Sequence, residues 1–210
     1  MRIAEATAHI EGNPDGAALL KQIELAGRTC YKSEDKITDE SAAKFVRGII
    51  KSGHEAVIEH GAITVRFICD RGVTHEIVRH RLAAYCQEST RYCNYGADKF
   101  DHNVTFIRPS FWNENHHQYA VWLDAMAQAE YNYFTLLDGG ATPQEARSVL
   151  PNSVKTELVM TANPREWRHF FQLRTPKAAH PDMRYIANKL LKEFQDTFPV
   201  LFDDIPVQEV

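Results

Sequence analysis

Long apolar segments are missing from this 210-residue sequence. No run comes near the ~18 residues that a helix needs to span a bilayer, and no basic and apolar leader follows Met1. The four cysteines are scattered and form no Cys-x-x-Cys pair, which is typical of free thiols in a reducing compartment. We therefore expect a cytoplasmic protein with no membrane partner.

Positive charge is also scarce. Lysine and arginine total 24 against 28 acidic residues, which gives a formal net charge of -4. Proteins that bind nucleic acid generally carry a basic surface, so we expect no nucleic-acid partner and interpret clustered arginines as a site for a small anion. The glycines form no Gly-x-Gly-x-x-Gly motif, so any dinucleotide must bind without the Rossmann fingerprint.

The remaining composition is that of an ordinary globular protein, with 44% hydrophobic and 25% charged residues. The length suits one compact core, and we expect a single domain over residues 1–210. Alternating apolar residues predict strands over 62–70 and 154–162. Helical spacing predicts a helix over 113–137, whose aromatic stripe is interpreted as core or subunit contact rather than a cofactor site.

The segment 163–174 carries a clear helix start. Asn163 precedes a proline at the first helical position, and Glu166 stands at the third. Helical spacing places Arg165 and His169 on one face. The opposite face carries Arg174 and the aromatic residues Trp167, Phe170 and Phe171.

A His-Glu pair opens the segment from His54 to His60, which invites comparison with zinc-binding helices. Those helices place two histidines at positions i and i+4, on one face. His54 and His60 are six positions apart in the sequence and fall on different faces. We therefore predict no metal site.

Candidate functional side chains are most concentrated between Arg79 and Tyr92, in the segment RHRLAAYCQESTRY. Its guanidinium groups suit phosphate and carboxylate oxygens, because each donates two parallel hydrogen bonds. A strand and a short helix capped by Asp70 precede the segment, so we expect a functional loop held by regular structure. Two alternatives stay open: a solvated helix end, or the face of a non-catalytic nucleotide-binding or RNA-binding module that uses Tyr85, Tyr92 and Tyr95.

The order of residues in this segment resembles the signature of the flavin-dependent thymidylate synthases. Arg79-His80-Arg81 is followed, after seven residues, by Ser89-Thr90-Arg91-Tyr92. A second string, Ala146-Arg147-x-x-Leu150-Pro151, resembles the other signature of that family. The resemblance covers ordered blocks from Gly53 to Arg174 and implies an α+β domain with a mostly antiparallel sheet flanked by helices.

The resemblance also implies a reaction, the reductive methylation of dUMP to dTMP. The carbon donor in this family is 5,10-methylenetetrahydrofolate, and NADPH reduces a bound FAD. Family members form homotetramers whose active sites are shared between subunits. Flavin hydride replaces a protein nucleophile, so neither Cys86 nor Ser89 is expected to bond covalently to the nucleotide. Arg79 and Arg81 are expected to keep His80 from acting as a strong base, because like charge disfavours its protonated form.

Residue roles follow from the same resemblance. Arg174 is the implied catalytic residue, which assists ionisation of the pyrimidine N3. The implied dUMP site contains Glu76, Arg79, Gln87, Glu88, Ser89, Thr90, Arg91, Arg147 and Arg174. The implied FAD site contains His54, Glu59, Arg79, His80, Arg81, Gln87, Asn163, Arg165 and His169. Gln87 stands where many family members have glutamate, and Ala56 stands where a small hydroxyl residue is common.

Overall fold

The computed structural model describes residues 1–208. These residues fall into two compact units. The first unit comprises Met1–Thr7, Phe67–Arg79 and Cys86–Leu158, and the second comprises Ala8–Arg66, His80–Tyr85 and the segment that begins at Val159. The single domain over 1–210 stays a prediction.

Six named strands lie within the described residues 1–208: β1 (Arg2–Ala4), β2 (Thr7–Ile10), β3 (Ile63–Asp70), β4 (Ala83–Gln87), β5 (Thr105–Ile107) and β6 (Lys155–Ala162). Four of them form one mostly antiparallel sheet in the order β2-β3-β6-β4. A separate parallel pair joins β1 to β5, with Arg2 opposite Thr105. The predicted α+β fold is confirmed.

The helices are α1 (Gly16–Thr29), α2 (Ser41–Lys51), α3 (Arg71–Ile77), α4 (His117–Asp138), α5 (Pro143–Ala146), α6 (Pro164–Arg174), α7 (Pro181–Thr197) and α8 (Pro199–Phe202). Short 3-10 turns cover Glu34–Lys36, Glu55–Glu59, Asp98–Phe100 and Arg147–Val149. Across residues 1–208, none of the helices combines the length and the apolar character needed to cross a membrane.

Local signals placed two helix starts correctly. The side chain of Asp70 accepts a hydrogen bond from the backbone N–H of Val73 at 2.7 Å, which begins α3. Asn163 Oδ1 accepts one from the backbone N–H of Glu166 at 2.9 Å, which begins α6. The helix predicted over 113–137 begins four residues later, at His117.

The segment from Arg79 to Tyr92 differs from the predicted loop. Residues Ala83–Gln87 within it form β4, the strand at one end of the sheet order. The sequence did not predict this strand, because its small and polar side chains lack a clear apolar alternation. A strand at the edge of a sheet has only one neighbouring strand and needs less apolar surface. The motif therefore begins in a turn, runs through a strand and ends in the turns around Ser89.

The core of the first unit is built on α4. Tyr119, Trp122, Met126 and Tyr133 are buried on one side of this helix, together with Phe106 from β5. Of the two alternatives predicted for this aromatic stripe, core or subunit contact, the structure confirms the core for these residues.

The core of the second unit surrounds α6. Trp167 and Phe171 of this helix are fully buried, and Phe171 packs edge-to-face on Phe194 of α7 at 5.0 Å between ring centroids. The indole Nε1 of Trp167 donates to the carbonyl of Ile63 at 3.0 Å, so its polar atom is satisfied. This packing fixes α6, the helix that presents His169 and Arg174.

Candidate functional site

A polar cavity of about 360 Å³ lies in the first unit. Arg71 and Arg147 both line it, and Arg147 Nη1 donates to Thr90 Oγ1 at 3.1 Å. The described lining contains no acidic side chain to neutralise these two guanidinium groups. Such a donor set suits phosphate, because a guanidinium can donate two parallel hydrogen bonds to phosphate oxygens. The other lining residues are Gln144, Ser148, Leu150, Pro151, Asn152 and Val154.

Arg71 was not among the predicted site residues. Its backbone N–H donates to the carbonyl of Asn152 at 2.8 Å, and its Nη1 lies 3.5 Å from the carbonyl oxygen of Glu88. These contacts place the first residue of α3 beside the segments that carry Thr90 and Arg147. The only local signal was a basic residue directly after the capping Asp70, which does not by itself indicate a ligand.

Gln87 and Glu88 have different environments. The amide Nε2 of Gln87 donates to Thr74 Oγ1 at 3.0 Å and lies 3.3 Å from Thr156 Oγ1. Glu88 accepts hydrogen bonds from the Tyr95 hydroxyl and from Lys155 Nζ, both at 3.1 Å. Glu88 thus anchors the end of β4 to residues of the same unit, and its carboxylate contributes to the raised pKa of Tyr95, of which burial is the main cause.

The other predicted nucleotide residues of the first unit lie within the segment Arg79–Tyr92 or just before it. Glu76 stands at the end of α3, and the exposed Arg79 follows that helix. Ser89 organises a turn, since its Oγ accepts from the backbone N–H of Arg91 at 3.3 Å and its carbonyl accepts from that of Tyr92 at 3.1 Å. This turn presents the exposed Arg91.

A second cluster lies in the second unit and centres on His80. The imidazole Nδ1 of His80 lies 3.1 Å from Glu166 Oε1, and its Nε2 lies 3.1 Å from Arg174 Nε. The ring also packs on Phe170 at 5.0 Å and on His169 at 5.6 Å between centroids. His80 is only 3% exposed, so both ring nitrogens are used inside the protein.

Burial, and to a smaller extent the charges of Arg174 and His169, together lower the pKa of His80 to about 4. The predicted direction is thus confirmed, but the predicted cause was wrong. Arg174, far along the chain, supplies the opposing charge, whereas Arg79 and Arg81 are exposed at the surface. Burial also raises the pKa of the Glu166 carboxyl. We take His80 to be neutral at pH 7.

This lowered pKa predicts a loss of stability in acid. A histidine whose pKa is 6.5 unfolded and about 4 folded is stabilising above pH 6.5, and this stability is lost as the pH falls toward 4. The loss approaches about 3 kcal/mol for His80 alone. The raised pKa of Glu166 acts in the opposite sense, so it reduces the change of the unfolding free energy with pH. Urea unfolding at several pH values between 7 and 4 measures this change in the unfolding free energy.

The control for this measurement is His80→Gln, which removes the titrating ring. We expect the unfolding free energy of this variant to change less between pH 7 and pH 4 than that of the unaltered chain. Identical pH dependence in the two proteins would show that His80 is not the group responsible.

His80, Glu166 and His169 also satisfy the spacing of metal ligands, with potential donor atoms within 4.8 Å of one another. Hydrogen bonds already account for the arrangement of His80 and Glu166. A cation near His80 would lie close to the Arg174 guanidinium, whose Nε is 3.1 Å from the ring. We therefore assign no metal ion to this cluster, and the absence of a metal site stays a prediction.

A cavity of about 300 Å³ adjoins α6 in the second unit, and Asn163, Arg165 and His169 line it with Gln172. Arg165 Nη1 donates to Glu59 Oε1 at 2.5 Å and its Nε lies 3.6 Å from Glu55 Oε2. The hydrogen bond to Glu59 raises the pKa of Arg165. Four predicted flavin residues, Glu59, Asn163, Arg165 and His169, are therefore neighbours.

The predicted residues divide between the units. Most nucleotide residues belong to the first unit, and Arg174 belongs to the second. Most flavin residues belong to the second unit, including the exposed His54 and Arg81, whereas Arg79 and Gln87 belong to the first.

The family model and the relatives that match this chain all carry thymidylate synthase names. The model of the thymidylate synthase complementing protein family matches residues 17–200. A flavin-dependent thymidylate synthase from Geobacter sulfurreducens is 32% identical over 204 residues, which cover 94% of this chain and 85% of that protein. A protein of the same name from Pyrococcus furiosus is 33% identical over 168 residues, or 80% of this chain and 68% of its own length.

Among solved structures, the chain is similar to the UMP/dUMP methylase PolB from Streptomyces cacaoi, bound with 5-Br dUMP. The TM-score is 0.78 with 23% sequence identity, and the match covers 97% of this chain and 96% of the other. At this level of identity the likeness concerns the fold.

Proposed function

The chain belongs to the flavin-dependent thymidylate synthase family, and we propose that it methylates dUMP to dTMP in a flavin-dependent reaction. The observation that carries this proposal is the cavity in which Arg71 and Arg147 adjoin Thr90, because it joins both sequence signatures around a site suited to phosphate. The names of the relatives support the same reaction.

We assign the nucleotide phosphate to Arg147 and Thr90 and add Arg71 to the predicted set. Ser89 and Arg91 complete the nucleotide site at the turn that follows β4, with Glu76, Arg79, Gln87 and Glu88 on the adjoining elements. Gln87 already donates through its amide nitrogen, so its amide oxygen is the atom assigned to the nucleotide or the flavin.

The residues beside α6 fit a flavin. Arg165, His169, Asn163 and Gln172 supply donors for a ligand that carries carbonyl groups and a diphosphate, and Glu55 and Glu166, which line the same cavity, supply acceptors. We propose that the flavin is shared between subunits of a homotetramer. Reduced flavin supplies hydride, and we propose NADPH as its reductant and methylenetetrahydrofolate as the carbon donor.

Arg174 is proposed as the catalytic residue. A guanidinium stays protonated in a protein, so it does not accept a proton itself. It stabilises the anion that forms when the pyrimidine N3 loses its proton, which makes C5 more electron-rich. Its place at the end of the rigid helix α6 suits this role, because stabilisation of developing charge needs a donor that is already oriented.

The function is tested by supplying purified chain with dUMP, methylenetetrahydrofolate, FAD and NADPH and measuring dTMP. We expect dTMP formation and a saturable flavin absorption band. A chain that binds nucleotide or RNA but takes up no FAD and forms no dTMP would instead be the non-catalytic binding module.

Cys86 provides a separate prediction about the chemistry. It is an exposed free thiol on β4, and the proposed reaction requires no bond between it and the pyrimidine. We expect Cys86→Ala to retain dTMP formation, and we expect mass spectrometry of the denatured enzyme after turnover to show no nucleotide adduct. Cys93→Ala is the matched control, since that thiol lies in the following turn.

Loss of turnover in Cys86→Ala, with FAD and dUMP still bound, would replace this proposal with a thiolate mechanism. The nucleophile would then be the thiolate of Cys86.

A further inference from the structure

The bonds around His80 define its protonation without any measurement of pKa. Arg174 Nε carries a hydrogen and has no lone pair to offer, so it can only donate. His80 Nε2, at 3.1 Å, must therefore be the acceptor and carry no hydrogen. The neutral ring then holds its hydrogen on Nδ1, which donates to Glu166 Oε1 at 3.1 Å.

The order of these groups follows the geometry of α6. Glu166, Phe170 and Arg174 are spaced by four residues and so lie along one face of the helix. Glu166 and Arg174 are about 12 Å apart along its axis. The His80 ring packs over Phe170, between them, and its two nitrogens reach in opposite directions. His80 thus bridges the first and last turns of the helix.

The Glu166 end of this bridge and the backbone that carries the His80 ring are both held in place. Glu166 is 6% exposed, and its backbone N–H is held by the Asn163 cap. The Tyr85 hydroxyl donates to the carbonyl of His80, which restrains the backbone below the ring. Because the carboxylate cannot move far, the ring cannot rotate without losing its Nδ1 hydrogen bond.

We propose that Glu166 and His80 form a positioning relay that orients the Arg174 guanidinium toward its substrate, the N3 and carbonyl edge of a pyrimidine nucleotide. The inference rests on the proposed role of Arg174. Glu166 fixes the tautomer of His80, and His80 holds Arg174 through Nε. The terminal amino groups of Arg174 are thereby set in one plane for the pyrimidine. Glu166 and His80 are positioning residues, because neither needs to touch the reacting atoms.

The relay responds to acid through His80. A proton on Nε2 removes the only acceptor that the ring offers Arg174 and adds a second cation beside it. Among residues 1–208, the charged or titratable groups that contact the ring are Glu166, His169 and Arg174, and the Tyr85 hydroxyl contacts the backbone of His80. Burial and the nearby positive charges that lower the pKa of His80 therefore keep the relay intact at neutral pH.

Two substitutions at His80 separate the two halves of the relay. Glutamine places an amide oxygen near the position of Nε2 and can accept from Arg174. Asparagine reaches only the position of Nδ1 and can donate to Glu166 but not reach Arg174. We expect His80→Gln to keep kcat per bound flavin within about 5-fold and His80→Asn to lower it roughly 100-fold, with FAD affinity the same in the two variants.

A purely structural role for His80 predicts a different pattern. Both variants would then lose stability and FAD binding together, and kcat per bound flavin would be equal in the two. That result overturns the proposal, as does a His80→Asn variant that turns over as fast as His80→Gln.

A measurement that needs no activity tests the relay independently. In protein labelled with 15N-histidine, the His80 signals, assigned by their loss in His80→Gln, report which ring nitrogen carries hydrogen. We expect hydrogen on Nδ1 at pH 7, and hydrogen on Nε2 would overturn the proposal. If the unaltered chain shows this tautomer yet forms no dTMP, the proposed function fails while the hydrogen-bonded relay stands.

Discussion

Arg174→Lys is expected to lower kcat for dTMP formation by roughly 100- to 1000-fold, the usual cost of losing a donor that stabilises developing charge. Lysine keeps the positive charge but loses the planar fork and the Nε–H that His80 accepts. FAD binding should change little, because the predicted flavin residues Asn163, Arg165 and His169 remain in place. Steady-state kinetics and flavin titration measure the two effects on the same protein.

Arg47→Lys is the control for this substitution. Arg47 is an exposed arginine of the same unit that pairs with Asp203 at 2.7 Å, away from the His80 cluster. Its replacement should leave kcat unchanged. Equal turnover in the Arg174 and Arg47 variants would remove Arg174 from catalysis.

The second large effect is expected at the phosphate cavity. Arg71→Ala and Arg147→Ala should each weaken dUMP binding by roughly 10- to 100-fold, since a hydrogen bond to a charged group contributes about 1.5–3 kcal/mol. The two guanidinium groups line the same cavity, so their effects should not be additive. Titration of flavin absorbance with dUMP measures the binding.

Deoxyuridine makes this experiment specific for the phosphate. Deoxyuridine lacks the phosphate that Arg71 and Arg147 are proposed to hold, so it should bind more weakly than dUMP. Its affinity should be the same for both variants and for the unaltered chain. Arg2→Ala, at an exposed arginine of the same unit, is the matched control. If the variants lose deoxyuridine and dUMP affinity equally, the cavity does not bind phosphate.

Local sequence determined much of the fold. The alternation in β3 buries Ile63, Val65, Phe67 and Cys69 as predicted, because successive side chains of a strand face opposite sides. The Asp70 and Asn163 caps are equally local, since each side chain reaches a backbone N–H three residues away. The family was also readable from the sequence, because its two signatures are short continuous strings.

The sequence located β4 less well, because the signal for an edge strand is weak. The exposed positions Ala84 and Cys86 alternate with the half-buried Tyr85 and Gln87, without the apolar pattern that marks β3. Hydrogen bonds to a neighbouring strand, which spacing along the chain does not reveal, decide that this segment is extended.

Only the tertiary structure decided the partners of His80. Glu166 is 86 positions away in the sequence and Arg174 is 94, so no local spacing relates them to the histidine. The same applies to Arg71, whose cavity includes residues more than 70 positions later. The sequence motifs identified candidate site residues, whereas tertiary packing determined which of these residues are in contact. The burial of His80, which lowers its pKa, exists only after that packing is complete.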